Sequence, residues 1–597
     1  MHDSSVTVAM SQPFFSLNDR TSFGNSPANS AVLQAVDSSF NRYDAASELV
    51  TDTSFGQYTL LSNDPLTVKF TIADGVTWSD GVPVDAADLL LAWVANSGAR
   101  NSKGVSDSAY RDPETGRYSA PFPGDVVHFD GSLSEGLQYA TTTPVIGEDG
   151  RSLTVTWDRY VVDWALTLQV GLPAHVVASR ALGLPLAKDS DAGAGDAPDA
   201  DRLRDARAAK GRLIDAIVDD DTAALSAIAN TWNSDFDLDA MPDDPSLLLT
   251  NGPYLISAFT SGESMTLSAN PRYHGVHAPA IETIDIRFLA DPLDQVAALR
   301  DGTVDVIVPR AGPEVVTALA AIPGATVLTG IDGTFEHLDL RFAKGRHSTF
   351  EDPRVRQAFL MVVPVQEITD AAVGSDLAAD AARSSLVFLP GAAGYDAAVA
   401  ANGSADYSTP DVAGAKRLLE DAGVSKPAVC ILFDPSNPKR IEEYDLIRDS
   451  AARAGFVVSN CSSPDWLNLL GTPGTYDASI FAWSSTNQSV AGLQSIFGTG
   501  GRGNFNGFSD PEVDSLLSQL SVTPDAARQR VIRVRLDSAL YASAYGIPLY
   551  QDPAVVAHNA SVSGIAIAPL APGILWNVWE WAPVTAQNPT PATTSGE

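Results

Sequence analysis

The sequence predicts an α/β protein in which helices layer onto a largely parallel sheet. Three observations lead there. From about residue 335 to 550, strand-like runs alternate with helical ones, the pattern of repeated strand–helix–strand units. The chain has 597 residues, 45% apolar and 19% charged, which suits a large core and roughly three or four domains at ~150 residues each. Asp74-Gly75 and Asp80-Gly81 mark tight turns between such runs, because glycine supplies the positive φ they need.

The elements follow in order. Val6-Thr7-Val8-Ala9-Met10 reads as an apolar strand, followed by a polar loop carrying Phe14, Phe15 and Phe23 and a helical pattern over 29–40. Residues 58–72 alternate as strands do. Residues 84–93 predict a helix, with Asp85 as N-cap and Asp88 in the first turn. Residues 187–245 are rich in Asp and Ala and read as an inserted, solvated helical excursion, with a linker at 189–199 and a helical run at 202–230. Asp189, Asp191, Asp196 and Asp199 cluster there, but their order lacks the D-x-D-x-D-G of a calcium loop. Strand character returns over 251–288, then a helix at 291–299 and a buried strand at 303–308. Beyond, strands at 336–342, 429–433 and 478–483 alternate with helices at 353–364, 412–422, 511–520 and 526–542. The tail from 586 to 597 is rich in Pro, Thr and Ser and is expected to be disordered.

The two cysteines, Cys430 and Cys461, are too few for a zinc site. Cys430 sits in one strand and Cys461 ends another, with a helical stretch at 441–454 between them. Parallel neighbours of this kind bring the sulfurs together, and a bridge implies an oxidising compartment. Two buried free thiols are the alternative.

With 38 Lys+Arg against 73 Asp+Glu, the formal charge is −35. Phosphate backbones and anionic membranes repel such a chain, so nucleic acid is excluded as a partner. No run of ~18 apolar residues is present. Residues 1–6 lack the basic and apolar regions of a secretory signal, so the residues alone favour either a cytosolic protein or a mature form with an added Met1.

A catalytic centre is not evident. There is no GxSxG elbow and no HExxH. His274-Gly-Val-His277 is a turn-like pair better suited to an exposed loop than to a metal. Gly498-Thr-Gly-Gly-Arg-Gly503 fits GxGxxG literally, but an apparent helix precedes it where a dinucleotide site requires a strand. No metal or cofactor is expected.

Several segments, in order along the chain, resemble the family-5 extracellular solute-binding proteins of ABC importers, the oligopeptide/dipeptide-binding group. Residues 70–88 (Phe-Thr-Ile-Ala-Asp-Gly-Val-Thr-Trp-Ser-Asp-Gly-Val-Pro-Val-Asp-Ala-Ala-Asp) are similar to that family's D-G-x-P segment and its following helix. Asn251-Gly-Pro-Tyr with 267–274 is similar to its GPY…NPxYW strand pair, and 299–305 to its L-x-x-G-x-x-D. Phe350-Glu-Asp-Pro-Arg-Val-Arg-Gln-Ala358 resembles F-x-D-x-R-V-R-Q-A, and 415–423 and 547–550 add two more matches. Physically these are fold devices. Asp352 and Pro353 suit N-cap and N1, Gly423 suits a helix C-terminus, Arg354 and Arg356 suit ion pairs, and Trp78 and Trp93 suit the core.

The resemblance implies a periplasmic-binding-protein-like two-lobed fold, type II or cluster C, with an extra domain in the first lobe. The expected division is 1–48, 249–330 and 551–585 for the first lobe's core, 49–248 for the extra domain with its acidic helical insertion at 187–245, and 331–550 for the second lobe. It implies an extracytoplasmic protein, a cell-surface lipoprotein or periplasmic, with signal and lipid anchor absent from this chain. The expected protein is monomeric, captures a peptide or peptide-like solute between its lobes and delivers it to a membrane permease. A neutral non-peptide solute such as an oligosaccharide, a lipoprotein with no transport partner, and an enzyme on the same fold are the alternatives.

For the site, the resemblance points to a strand ending in Trp483 and the polar residues after it, Ser484, Ser485, Thr486 and Asn487. Thr486 stands where peptide-binding relatives carry the Asp that pairs with a peptide's α-amine. Neutral side chains alone are poor partners for a desolvated ammonium, so the pocket suits a capped or modified peptide, a glycan fragment or another polar, uncharged solute, unless an acid elsewhere replaces the lost one. Phe23 and Asn25, in the first strand-to-helix loop, and Asn504, after the glycine loop, complete the expected ligand contacts.

Overall fold

The computed structural model describes residues 4–131, 136–188, 199–485, 487–570 and 573–584. Its backbone is one ten-stranded sheet. From one edge the order is Val457–Asn460, Ala428–Leu432, Ala478–Ser484, Thr326–Leu340, Gly546–His558, Val306–Val308, Ser5–Met10, Thr283–Phe288, Ser264–Ala269 and Tyr254–Thr260.

The expected largely parallel sheet is corrected to a mixed one. Ser5–Met10 pairs in parallel with both its neighbours, as does Ala428–Leu432. The remaining pairings are antiparallel. The helix–strand alternation was real, but two long strands, Thr326–Leu340 and Gly546–His558, run antiparallel through the middle and reverse the direction of the sheet. Their register shifts between Ile331 and Phe335 and again between Glu336 and His337.

Side chains alternate between the faces of a strand, and here the alternation feeds two cores. Val6, Val8 and Met10 join the first core and Ala9 the second, while Val306 and Ile307 divide in the same way. The helices Pro292–Arg300 and Pro313–Ala320 also turn their apolar faces to the second core.

The first core continues into a four-stranded sheet of Gly56–Asn63, Leu66–Ile72, Ser152–Thr156 and Val145–Ile146. Against it packs the helix Ala86–Ser97, all of whose residues are buried. Asp85 and Asp88 form its reciprocal capping box. Trp78, Trp93 and Trp157 are fully enclosed, and the Trp93 indole donates to the Ala140 carbonyl at 2.8 Å.

The acidic insertion is not a solvated excursion. Its helices, Ala200–Val218 and Thr222–Ser234, place Ala209, Leu213, Ile217, Leu225, Ile228 and Trp232 in the first core. Two buried ion pairs stitch the first of them down. Lys210 Nζ meets Asp88 Oδ2 at 2.7 Å, and Arg202 Nη2 meets Asp80 Oδ2 at 2.7 Å beside His175 at 3.0 Å. Alanine-rich patterning conceals this, because small side chains pack closely while the opposite face stays polar. Asp199 caps the first of these helices through the Asp201 amide. Asp189, Asp191, Asp196 and the 586–597 tail lie outside the described residues.

The family-resembling segments at 350–358, 415–423 and 547–550 lie in the second core, while those at 70–88 and 251–274 lie in the first. Asp352 caps Pro353–Leu360 with Pro353 first in the helix, and Gly423 closes Val412–Ala422 at φ 69°. Arg354 pairs with Asp352 at 2.6 Å. Arg356 forms no ion pair among the described residues; it donates to the carbonyls of Phe350, Glu351 and Ser543. Cys430 and Cys461 are joined as a disulfide, closing a sequence separation of 31 residues.

Candidate functional site: a cleft between the two cores

A cleft of about 830 Å³ opens where the cores face one another. Its walls come from the loop before the helix Pro27–Val36, from Asp163 and Leu166, from the middle of Thr326–Leu340, from a loop at 383–389, and from 483–505.

The strand Ala478–Ser484 delivers Trp483 to the wall, opposite Phe335 of the long strand. Trp483 is half-buried. It stacks on Phe505, with centroids 5.8 Å apart and planes 10° from parallel, and meets Phe481 edge-on. Gly503 packs closely beside it: a Cβ there would stand 3.2 Å from Trp483 Cη2, so the indole would have to shift slightly to admit one. The literal GxGxxG is therefore a packing loop, entered from the helix Val490–Phe497.

Ser484, Ser485 and Asn487 line the cleft with Trp483. Ser484 accepts from the Thr334 hydroxyl at 3.2 Å, and the Ser485 amide donates to the Gly333 carbonyl at 3.0 Å. Gly333 must be glycine, because a Cβ would lie 2.0 Å from the Ser485 carbonyl oxygen. Asn25 reaches the cleft from the first core. Thr486 lies outside the described residues.

Phe23 and Asn504 are not among the lining residues. Phe23 packs edge-on against Phe15, with the Arg117 guanidinium over its ring. The Asn504 amide staples its own loop, donating to the Gly498 and Phe508 carbonyls and accepting from the Phe508 amide. Both residues have the right place in sequence but turn their side chains inward.

Sequence reasoning missed the contacts that hold the cleft together. Asp163, from the first core's side, accepts from the Val490 and Ala491 amides at 2.8 and 3.0 Å, capping a helix of the second core. Burial pushes its carboxyl above the usual range, against the pull of those two amides. Gln488 donates its amide to the Tyr43 hydroxyl and its side chain to the Ser47 carbonyl. Arg533 Nη2 donates to the Gln488 carbonyl at 2.6 Å. Nothing local marks these residues, since the partners of Asp163 and Gln488 are hundreds of positions away and that of Arg533 is 45 away.

The histidine pair and one acidic cluster also have defined surroundings. His277 is not an exposed turn residue. It is half-buried against Arg42 and Trp579, and burial with the Arg42 charge lowers it to about 4. Asp107, His128 and Asp130 bring ligand atoms within 4.8 Å of one another. Arg111 already bridges the two carboxylates at 2.7 and 2.8 Å and supplies the positive charge there.

No helix among the described residues is long and apolar enough to cross a membrane. The chain is 24% identical over 583 residues to an uncharacterised lipoprotein of Mycobacterium tuberculosis, covering 95% of this chain and 90% of the relative. Its fold matches a periplasmic EDTA-binding protein, EppA, at TM-score 0.74 and 20% identity, with 97% and 96% of the two chains covered. It also matches the oligopeptide-binding protein AppA of Bacillus subtilis, solved with a nonapeptide, at TM-score 0.61 and 15% identity, covering 97% and 99%. Residues 59–505 match the family described as bacterial extracellular solute-binding proteins, family 5, middle region. A match over that much of the sequence, on a two-lobed fold with a cleft between its cores, places the chain in family 5 of the bacterial extracellular solute-binding proteins.

Proposed function

We propose that this protein is the extracytoplasmic receptor of an ABC importer, and that it captures a peptide or peptide-like solute and hands it unaltered to a membrane permease. The observation that carries the reading is the cleft itself. At about 830 Å³ it falls in the size range of small-ligand sites. It also combines an aromatic wall, Trp483 and Phe505, with neutral hydrogen-bonding groups at Ser484, Ser485 and Asn487. Aromatic faces bury apolar ligand surface, and the polar groups fix its orientation.

The nonapeptide bound in the Bacillus subtilis relative supports a peptide. The EDTA named for the other structural relative is the reason to keep the class as wide as peptide-like. In this reading 1–48, 249–330 and 551–585 form the first lobe with 49–248 as its extra domain, and 331–550 form the second lobe. The lobes part about the two long central strands, and the Asp163 and Gln488 contacts break as they do.

Native mass spectrometry of the purified protein tests the proposal. A retained small solute of defined mass, released by mild unfolding and recovered unchanged, is the expected result. Turnover of that solute by the protein would replace the receptor reading with an enzyme.

A further inference from the structure

Resting on the receptor reading above, we infer that the solute is an anion, and that Arg383 and Arg533 grip a carboxylate or similar oxyanion on it. The juxtaposition that points there is an arginine-rich cleft in an otherwise acidic protein. The whole chain carries −35, yet the cleft wall holds Arg20, Arg383, Arg502 and Arg533 against Asp19 and Asp163, so 4 − 2 leaves +2.

Both carboxylates are already occupied. Asp19 takes the Arg20 guanidinium at 3.3 Å and the Ser30 hydroxyl at 3.0 Å. Asp163 is spent on the Val490 and Ala491 amides. Among the described residues, no carboxylate lies within ion-pair distance of Arg383, Arg502 or Arg533.

Arg383 is the most telling of the three. It is 8% exposed, and its guanidinium is held over the Phe335 ring at 3.7 Å. Nε donates to the Ser385 carbonyl at 2.8 Å and Nη1 to Gln551 Oε1 at 2.5 Å, so its plane is fixed. Asp537 acts on it only through space, its own oxygens being taken by the Leu386 and Val387 amides and Asn402. Nη2 has no hydrogen-bond partner among the described residues. A cation held in the wall with neutral partners only is costly until a counter-charge arrives, and a planar guanidinium suits a carboxylate on its free edge. Arg533 is half-buried and anchored by one bond, Nη2 to the Gln488 carbonyl, with the Asp163 charge acting on it through space and no ion pair formed among the described residues, while Arg502 is exposed and adds long-range attraction.

The test pairs N-acetyl-trialanine with its C-terminal amide, two probes of one shape that differ by one negative charge, and adds cationic trialanine amide. Binding is read by calorimetry, alongside native mass spectrometry of the protein as purified. The acid should bind at least about tenfold tighter than either amide, and raising salt from about 0.02 to 0.5 M should shrink the gap. Arg383→Gln and Arg533→Gln should each close most of it. Arg502→Gln, at an exposed site, keeps the test open if a buried variant fails to fold, and should weaken only the acid.

A retained solute bearing negative charge supports the inference. A retained neutral or cationic solute, or an amide bound as well as the acid, overturns it and leaves the receptor reading standing. A protein that retains nothing and binds no probe overturns both.

Discussion

Trp483 and Phe505 face one another at 5.8 Å, one at the end of a strand and the other just past a glycine loop. The pair makes a flat apolar wall beside the polar residues of the cleft. Trp483→Ala removes half of that wall. Solute affinity should fall at least about tenfold, ~1.4 kcal/mol, measured by titration. The ligand-free melting temperature should stay within a few degrees, because Trp483 is half-buried rather than core. Unchanged affinity would remove Trp483 from the site.

Asp163 ties the segment around 163 to the start of the helix Val490–Phe497 through two backbone amides. Hydrogen bonds to a charged group are worth roughly 1.5–3 kcal/mol. Asp163→Ala should therefore speed solute dissociation by about tenfold or more and raise the radius of gyration in small-angle scattering. Wild-type scattering from the variant would mean that other contacts hold the lobes together.

Lys210 is enclosed with Asp88, and although burial opposes its charge, Asp88 and Asp85 outweigh that and raise it. Lys210→Ala strands the Asp88 carboxylate in the first core. The expected loss is roughly 3–5 kcal/mol in urea unfolding, with solute affinity unchanged in the fraction that remains folded.

The Cys430–Cys461 bridge closes a loop between neighbouring strands. Cys430→Ser with Cys461→Ser should cost roughly 3–4 kcal/mol in the chain-entropy account. Thiol titration of unfolded, unreduced wild-type protein should find no free sulfhydryl.

Glu443 is buried, and its carboxyl is pushed up to about 8 by burial and the nearby Glu336 charge, against the Tyr550 hydroxyl and Arg440. Tyr550 donates to one oxygen at 2.7 Å, and the other has no partner among the described residues. In the unfolded chain the group ionises near 4.5. Between those values the folded state holds a proton that the unfolded state has released, so stability falls as pH rises through this window. Glu443→Gln should flatten the decline in melting temperature between about pH 5 and 8. An unaltered slope would assign the decline to other groups.

Much of the fold was legible because it is written in local signals. Asp85, Asp352 and Gly423 are helix-terminal devices whose chemistry needs only neighbours a few positions away. Strand direction was not legible, since Thr326–Leu340 and Gly546–His558 pair across some two hundred residues that no periodicity reports. The burial of 200–234 was hidden by alanine. At the site, the family resemblance brought Trp483, Ser484, Ser485, Asn487 and Asn25 to one wall. Asn504 and Phe23 share those loops but not that lining, because position in a loop does not fix which way a side chain turns. Arg383 and Asp163 escaped notice because an isolated charge becomes distinctive only when its partners, or their absence, are known.

The paired central strands have a mechanical consequence. A two-stranded ribbon resists stretching through its ladder of hydrogen bonds but bends across its thin direction, most readily where the pairing slips at Ile331/Phe335. That slip adjoins Phe335, which faces both Arg383 and Trp483. In the receptor reading, flexing the ribbon moves the cargo's own footholds, so that unloading and the swing of the jaws would be a single motion.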